Sequence, residues 1–318
     1  MTEERPPEEG DASGEEAGGG RGTVTRFFLL PLLVVGTAVA VFWLFSRMTF
    51  EKRTPADYLQ EVRGGTANRR WQAAFELSRS LPNLEPADRA ALAAETLRIF
   101  KSLSPRRTED VPVRRYLVLV LGKLGDPDAV DALIAAVGDP DADTRLYAVW
   151  ALGKIGDRRA VAPVTEASLS EDAGMRKMAA YVLGRLGDPA AAARLRVLLG
   201  DPVADVRWNA AIALAGFRDA SGLTVLRSMI DRDALARQAT LAGDQPETAM
   251  IGALKALGML RDAASLPLLE KVAREDPNLR VRAAARDAIA ATRAAPATPN
   301  LERPISLLVG STPSDVHA

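Results

Sequence analysis

The sequence predicts an all-α chain, a right-handed α-solenoid of about six to seven helical hairpins preceded by one N-terminal transmembrane helix. Three observations lead there. Arg114, Arg145, Arg176 and Arg207 are spaced 31 residues apart, and so are Asp126, Asp157, Asp188 and Asp219. A fixed period of that length marks stacked supersecondary units, each burying its apolar face against its neighbours. Within each unit the apolar residues fall at helical spacing. Finally, Phe27 to Phe45 contains no charged residue.

Composition narrows the chemistry. The 318 residues carry 41 basic and 41 acidic side chains, so no net charge draws the chain to nucleic acid. Cysteine is absent, and His317 is the one histidine. Thiolate chemistry is thereby excluded, and imidazole catalysis and zinc binding are disfavoured. No cofactor or metal is expected.

Residues 1–26 include Glu3, Glu4, Glu8, Glu9, Asp11, Glu15 and Glu16 and a glycine run. So polar a segment buries too little apolar surface to offset its ordering entropy, and a disordered acidic tail is expected. Residues 27–46 read as a membrane span, because nineteen apolar residues rise about 28 Å, close to the hydrocarbon thickness. Arg26 and Arg47 bracket it, with Phe27, Phe28, Phe42 and Trp43 at interfacial positions. A cleaved signal peptide ending near Ala38-Val39-Ala40 is the competing reading, although the apolar run continues beyond it. Arg47, Lys52 and Arg53 favour a single-pass protein whose solenoid faces the cytoplasm.

The solenoid is expected over residues 54–293. Thr54-Pro55-Ala56-Asp57 opens it with an N-cap and an N1 proline. Residues 55–103 form an atypical first repeat, as the ends of solenoids usually are. From about 111 to 230 each unit is expected to hold an Arg-headed helix ending at Gly-Asp, then a shorter Leu-rich helix. Asp126-Pro127 and Asp188-Pro189 start two of the short helices, while Asp139-Pro140 and Asp201-Pro202 break the chain before the next unit. Residues 231–247 lengthen one unit, as a projecting loop or a tolerated connector. A degraded last copy starts at Arg282, and residues 294–318 read as a disordered tail.

Counting each Arg as position zero, positions 3, 4, 7 and 10 fall on one helix face and form the predicted core. Glycines at positions 8 (Gly122, Gly153, Gly184, Gly258) and 11 (Gly125, Gly156, Gly187) are expected to terminate helices in a left-handed turn. The Arg and Asp columns read as a structural ladder, each Arg meeting a neighbouring turn carboxylate or carbonyl, rather than as an ion-binding row.

Positions 2, 5 and 9 carry the candidate partner-binding stripe. It comprises Tyr116, Leu119 and Lys123, then Tyr147, Trp150 and Lys154, then Met178, Tyr181 and Arg185, and finally Ile212. Large aromatic side chains capped by cations on a face without packing duty mark an interaction surface. Burial beneath the flanking short helices is the alternative.

The pattern x-Arg-x-x-Ala, then Leu-Gly-x-Leu/Ile-Gly-Asp, resembles the HEAT repeats of the phycobilisome-lyase type. That resemblance implies that the Arg-headed helices line a concave surface, into which the stripe would look. The family's functions diverge, so the resemblance says little about activity. The apolar span, the short link after it and the aromatic stripe point to a membrane-anchored, non-enzymatic scaffold or adaptor holding a protein partner, itself membrane-associated. The alternative, which the resemblance implies, is a lyase-like enzyme or a chaperone of chromophore attachment, for which no chemistry-specific motif is present. Iron-dependent hydroxylases built on similar repeats require His-Glu pairs that this sequence lacks.

Overall fold

The computed structural model describes residues 30–49, 53–81, 84–237 and 245–294. The expected tails, 1–26 and 294–318, lie outside the described residues apart from Ala294, as do residues 238–244 of the insertion. The chain divides into two units, Met1–Thr54 and Pro55–Ala318.

In the first unit, α1 runs from Leu30–Thr49 with Leu32, Leu33, Phe42 and Trp43 exposed. The Thr37 hydroxyl donates back to the Leu33 carbonyl at 2.7 Å. The expected single-pass membrane localisation is overturned, because no helix among the described residues is long and apolar enough to cross a membrane.

The second unit is an all-helical solenoid. It begins with α2 (Pro55–Gly64), α3 (Ala67–Arg79) and α4 (Pro86–Ser102). The regular hairpins are α5 (Val111–Leu124) with α6 (Val130–Ala136), and α7 (Ala142–Ile155) with α8 (Val161–Ala167). Next come α9 (Ala173–Leu186) with α10 (Ala192–Leu198), and α11 (Ala204–Gly216) with α12 (Leu223–Met229). The short α13 (Arg232–Ala236) lies in the insertion, followed by α14 (Gln245–Leu260), α15 (Leu266–Glu275) and α16 (Leu279–Arg293). The long helices α3, α5, α7, α9, α11, α14 and α16 form one layer, each packed on the next.

The periodic positions explain this packing. Leu117, Val118 and Leu121 of α5, Ala148, Val149 and Leu152 of α7, and Ala179, Ala180 and Leu183 of α9 are fully buried. Gly125, Gly156 and Gly187 end their helices in the left-handed region, at φ of 73°, 80° and 66°. Each column Asp then caps a one-turn 3-10 helix. Asp126 accepts from the Asp128 N–H, Asp157 from Arg159, Asp188 from Ala190 and Asp219 from Ser221, all within 2.9 Å.

The position-8 glycines have a different duty from the one expected. Gly122, Gly153 and Gly258 lie inside helices, where the neighbouring helix approaches closely. A Cβ on Gly122 would sit 2.7 Å from the Ala151 Cα, and one on Gly153 would sit 2.7 Å from Val182 Cγ2. These residues set interhelical distance, whereas the position-11 glycines set the turn.

The Arg ladder is internal, but its acidic partners belong to the Asp-Pro turns and not to the Asp column. Arg114 pairs with Asp139 at 2.8 Å and Arg176 with Asp201 at 2.7 Å. Arg145 and Arg207 instead donate to main-chain carbonyls, of Asp139 and Pro140 and of Asp201 and Pro202 respectively. The contact pattern therefore repeats every 62 residues, or two hairpins. Ion pairs between successive repeats follow the same alternation. Arg115 meets Asp141 and Asp143, and Lys177 meets Asp205, while Leu146 occupies the corresponding slot in the hairpin between. Packing agrees, since α5 lies on α7 and α9 on α11 more extensively than α7 lies on α9.

Candidate functional site: the rim of the long-helix layer

The predicted stripe divides into a floor and a rim. Tyr147, Trp150, Met178, Tyr181 and Ile212 are only 5, 4, 4, 6 and 2% exposed. They are not an open aromatic surface. Each long helix from α5 to α14 has a long-helix neighbour on both sides within the layer, so side chains at positions 2 and 5 of α7 and α9 are clamped between helices. The Trp150 ring reaches over Gly122 of the preceding helix, using the space that glycine leaves. Tyr116 and Leu119 on α5 are half-buried. Tyr116 meets Phe75 edge to face at 5.1 Å between ring centroids.

The position-9 cations remain accessible. Lys123 and Lys154 are exposed and Arg185 is half-buried. Lys123 Nζ donates to the Ser78 carbonyl, and Arg185 Nε donates to the Gly153 carbonyl at 3.0 Å. Both carbonyls occupy position 8 of the preceding repeat helix. Lys154 Nζ lies 5.4 Å from the centroid of the Trp150 ring on its own helix. Among the described residues none of these three cations has a carboxylate partner. Burial, and then the neighbouring charge of Lys154, pushes the Lys123 ammonium below the usual lysine range.

The row extends one helix further than the stripe did. In α3 the corresponding residues are Phe75 and Arg79, with the guanidinium 5.3 Å from the ring centroid, repeating the Trp150–Lys154 arrangement. Arg79 also stands 3.8 Å from Glu76 at the surface. The signal was present in the sequence, because positions 5 and 9 after Arg70 are these residues. An aromatic four residues before a cation thus recurs in register on α3 and α7.

The opposite edge of the same helices is neutralised. Arg115 is held by Asp141 at 2.9 Å and Asp143 at 3.1 Å. Burial opposes ionisation of Asp141, but bonds from Arg115 and Thr144 outweigh it and hold the carboxyl below its usual range. Burial, with Asp143 nearby, pushes the Tyr147 phenol up. Among the described residues no group of three or more His, Cys, Asp or Glu could hold a metal ion.

Comparison with known proteins agrees with this architecture. Residues 101–181 and 167–243 match the model of the HEAT-repeats family. No curated protein matches the chain. Among solved structures, the complex of CpcE and CpcF of phycocyanin lyase from a Nostoc species aligns with a TM-score of 0.52 at 19% identity, over 76% of this chain and 89% of that one. The Escherichia coli protein YibA aligns with a TM-score of 0.49 at 15% identity, over 74% of this chain and 81% of that one. At 19% identity the likeness to the first bears on the fold alone. The repeats between residues 101 and 243 match HEAT repeats, and the chain folds as a HEAT-like α-solenoid.

Proposed function

We propose that this protein is a non-enzymatic scaffold that holds a protein partner along the exposed rim of its long-helix layer. One observation carries this reading. Four successive repeat helices present Arg79, Lys123, Lys154 and Arg185 in one register, and the last three have no carboxylate partner among the described residues. A solenoid that merely needed solubility would intersperse charges of both signs, as the opposite edge does. Unneutralised charge in register across several units is what an extended partner can read. The floor beneath contributes rigidity, because Trp150 and Tyr181 are locked between helices and hold the rim in place.

Site-specific crosslinking tests the proposal. With no native cysteine in the chain, a single introduced cysteine carrying a photoreactive group reports on one position alone. Probes at Leu119, Lys154 and Arg185 are expected to capture one and the same protein in cells. Probes at Glu166 and Val197, exposed on α8 and α10, are expected to capture none. Equal capture from both sets, or none from the rim, refutes the proposal.

A further inference from the structure

The partner's chemistry follows from the spacing of the rim, on the understanding that the rim is the docking surface proposed above. Packed helices lie about 8–10 Å apart. The backbone positions that carry the cations at position 9 of α3, α5, α7 and α9 therefore repeat at about that interval, and their long side chains can each reach a group placed opposite. The effect of Lys154 on Lys123 places two of them within electrostatic reach. A polyproline II segment has three residues per turn and rises 3.1 Å per residue, so every third side chain lies on one face at about 9 Å intervals. A β-strand alternates its faces, so residues three apart point in opposite directions. A helix about 10 Å wide would need an open apolar groove, and the floor between these helices is closed by Trp150 and Tyr181.

We infer that the rim binds an unfolded acidic segment of its partner in the polyproline II conformation, with Asp or Glu at every third residue over about ten residues. Arg79, Lys123, Lys154 and Arg185 each take one carboxylate. Half-buried Phe75, Tyr116 and Leu119 add an apolar contact at the α3–α5 end. The main chain of such a segment stays solvated, so binding requires no sheet edge or groove.

The test uses the full chain and three synthetic twelve-residue peptides in fluorescence anisotropy. The first repeats Glu-Pro-Ser four times. The second has the same composition with its four glutamates grouped, and the third replaces Glu by Gln. The first is expected to bind about tenfold or more tighter than the third, and severalfold tighter than the second, with affinity falling as salt rises. Lys154→Glu with Arg185→Glu should remove the preference, whereas Lys154→Arg should retain it. Circular dichroism of the variants verifies folding. Equal binding of the first two peptides overturns the spacing argument, and equal binding of the first and third overturns the acidic partner altogether. Capture of a protein by the rim crosslinkers alongside indifferent peptides sinks this inference alone. Peptide preference without any captured protein sinks the scaffold reading instead.

Discussion

The close approach at Gly122 makes the strongest quantitative prediction. In Gly122→Ala the new Cβ would lie 2.6 Å from the Ala151 Cβ and 2.7 Å from its Cα. An ordinary carbon–carbon contact is about 3.5–4 Å. Helices α5 and α7 must therefore separate by about 1 Å, because the obstructing atom is main chain and cannot rotate away. That movement also lifts the Trp150 ring, whose nearest atom is 3.0 Å from the same Cβ. Overpacking of this kind costs on the order of 1–3 kcal/mol, and helix propensity returns about 1 kcal/mol for Gly to Ala. The net loss is expected at up to about 2 kcal/mol. Gly64→Ala provides the control, because Gly64 is in α2 and its Cβ meets nothing within 4 Å. It should be neutral or stabilise by up to about 1 kcal/mol. Urea titration followed by circular dichroism compares the two, and hydrogen exchange should show faster opening confined to α5 and α7 in the Gly122 variant. A Gly122→Ala protein as stable as Gly64→Ala would refute the assignment of the position-8 glycines to helix contacts.

Other substitutions probe the remaining elements. Trp150→Ala should destabilise by about 3–5 kcal/mol, as expected for a large side chain that is 4% exposed; an unchanged urea midpoint would restore it as an open binding residue. Gly156→Ala should cost about 1–2 kcal/mol, since φ is 80° and a Cβ there meets strain rather than crowding. Asp201→Asn should cost on the order of 3–5 kcal/mol by leaving the mostly buried Arg176 guanidinium without its carboxylate. The Arg176 bond holds the Asp201 carboxyl below its usual range, and at Asp276 the bonds from Arg232 outweigh burial to do the same. A lowered folded-state value makes their stabilisation fully present above about pH 4 and lost as pH falls through the lowered values. The urea midpoint should hold between pH 5 and 7 and decline below about pH 4, less steeply in Asp201→Asn.

Much of the architecture was legible because it is local and repeated. Left-handed turns demand glycine at Gly125, Gly156 and Gly187, and a 3-10 start rewards Asp at Asp126, Asp157, Asp188 and Asp219. Both requirements lie within a few residues of chain, so each recurs once per unit. The core positions were equally plain, since one helix face must be apolar whatever it packs against. The Lys and Arg of the rim were identified by register as well, and Phe75 and Arg79 could have been found by the same count from Arg70.

Only the tertiary structure decided which faces are covered. Tyr147, Trp150 and Tyr181 lie opposite the core on a helical wheel, yet are buried because long helices flank them on both sides. A wheel describes one helix and carries no information about its neighbours. For the same reason Gly122 and Gly125 look alike in sequence and differ in role, and Arg114 is satisfied by Asp139, 25 residues away, rather than by a nearer column Asp. The 31-residue period of this chain follows from local backbone chemistry. Its accessible surface follows from how closely glycine and alanine let one helix approach the next, which buries the aromatic floor and leaves the position-9 cations at the rim.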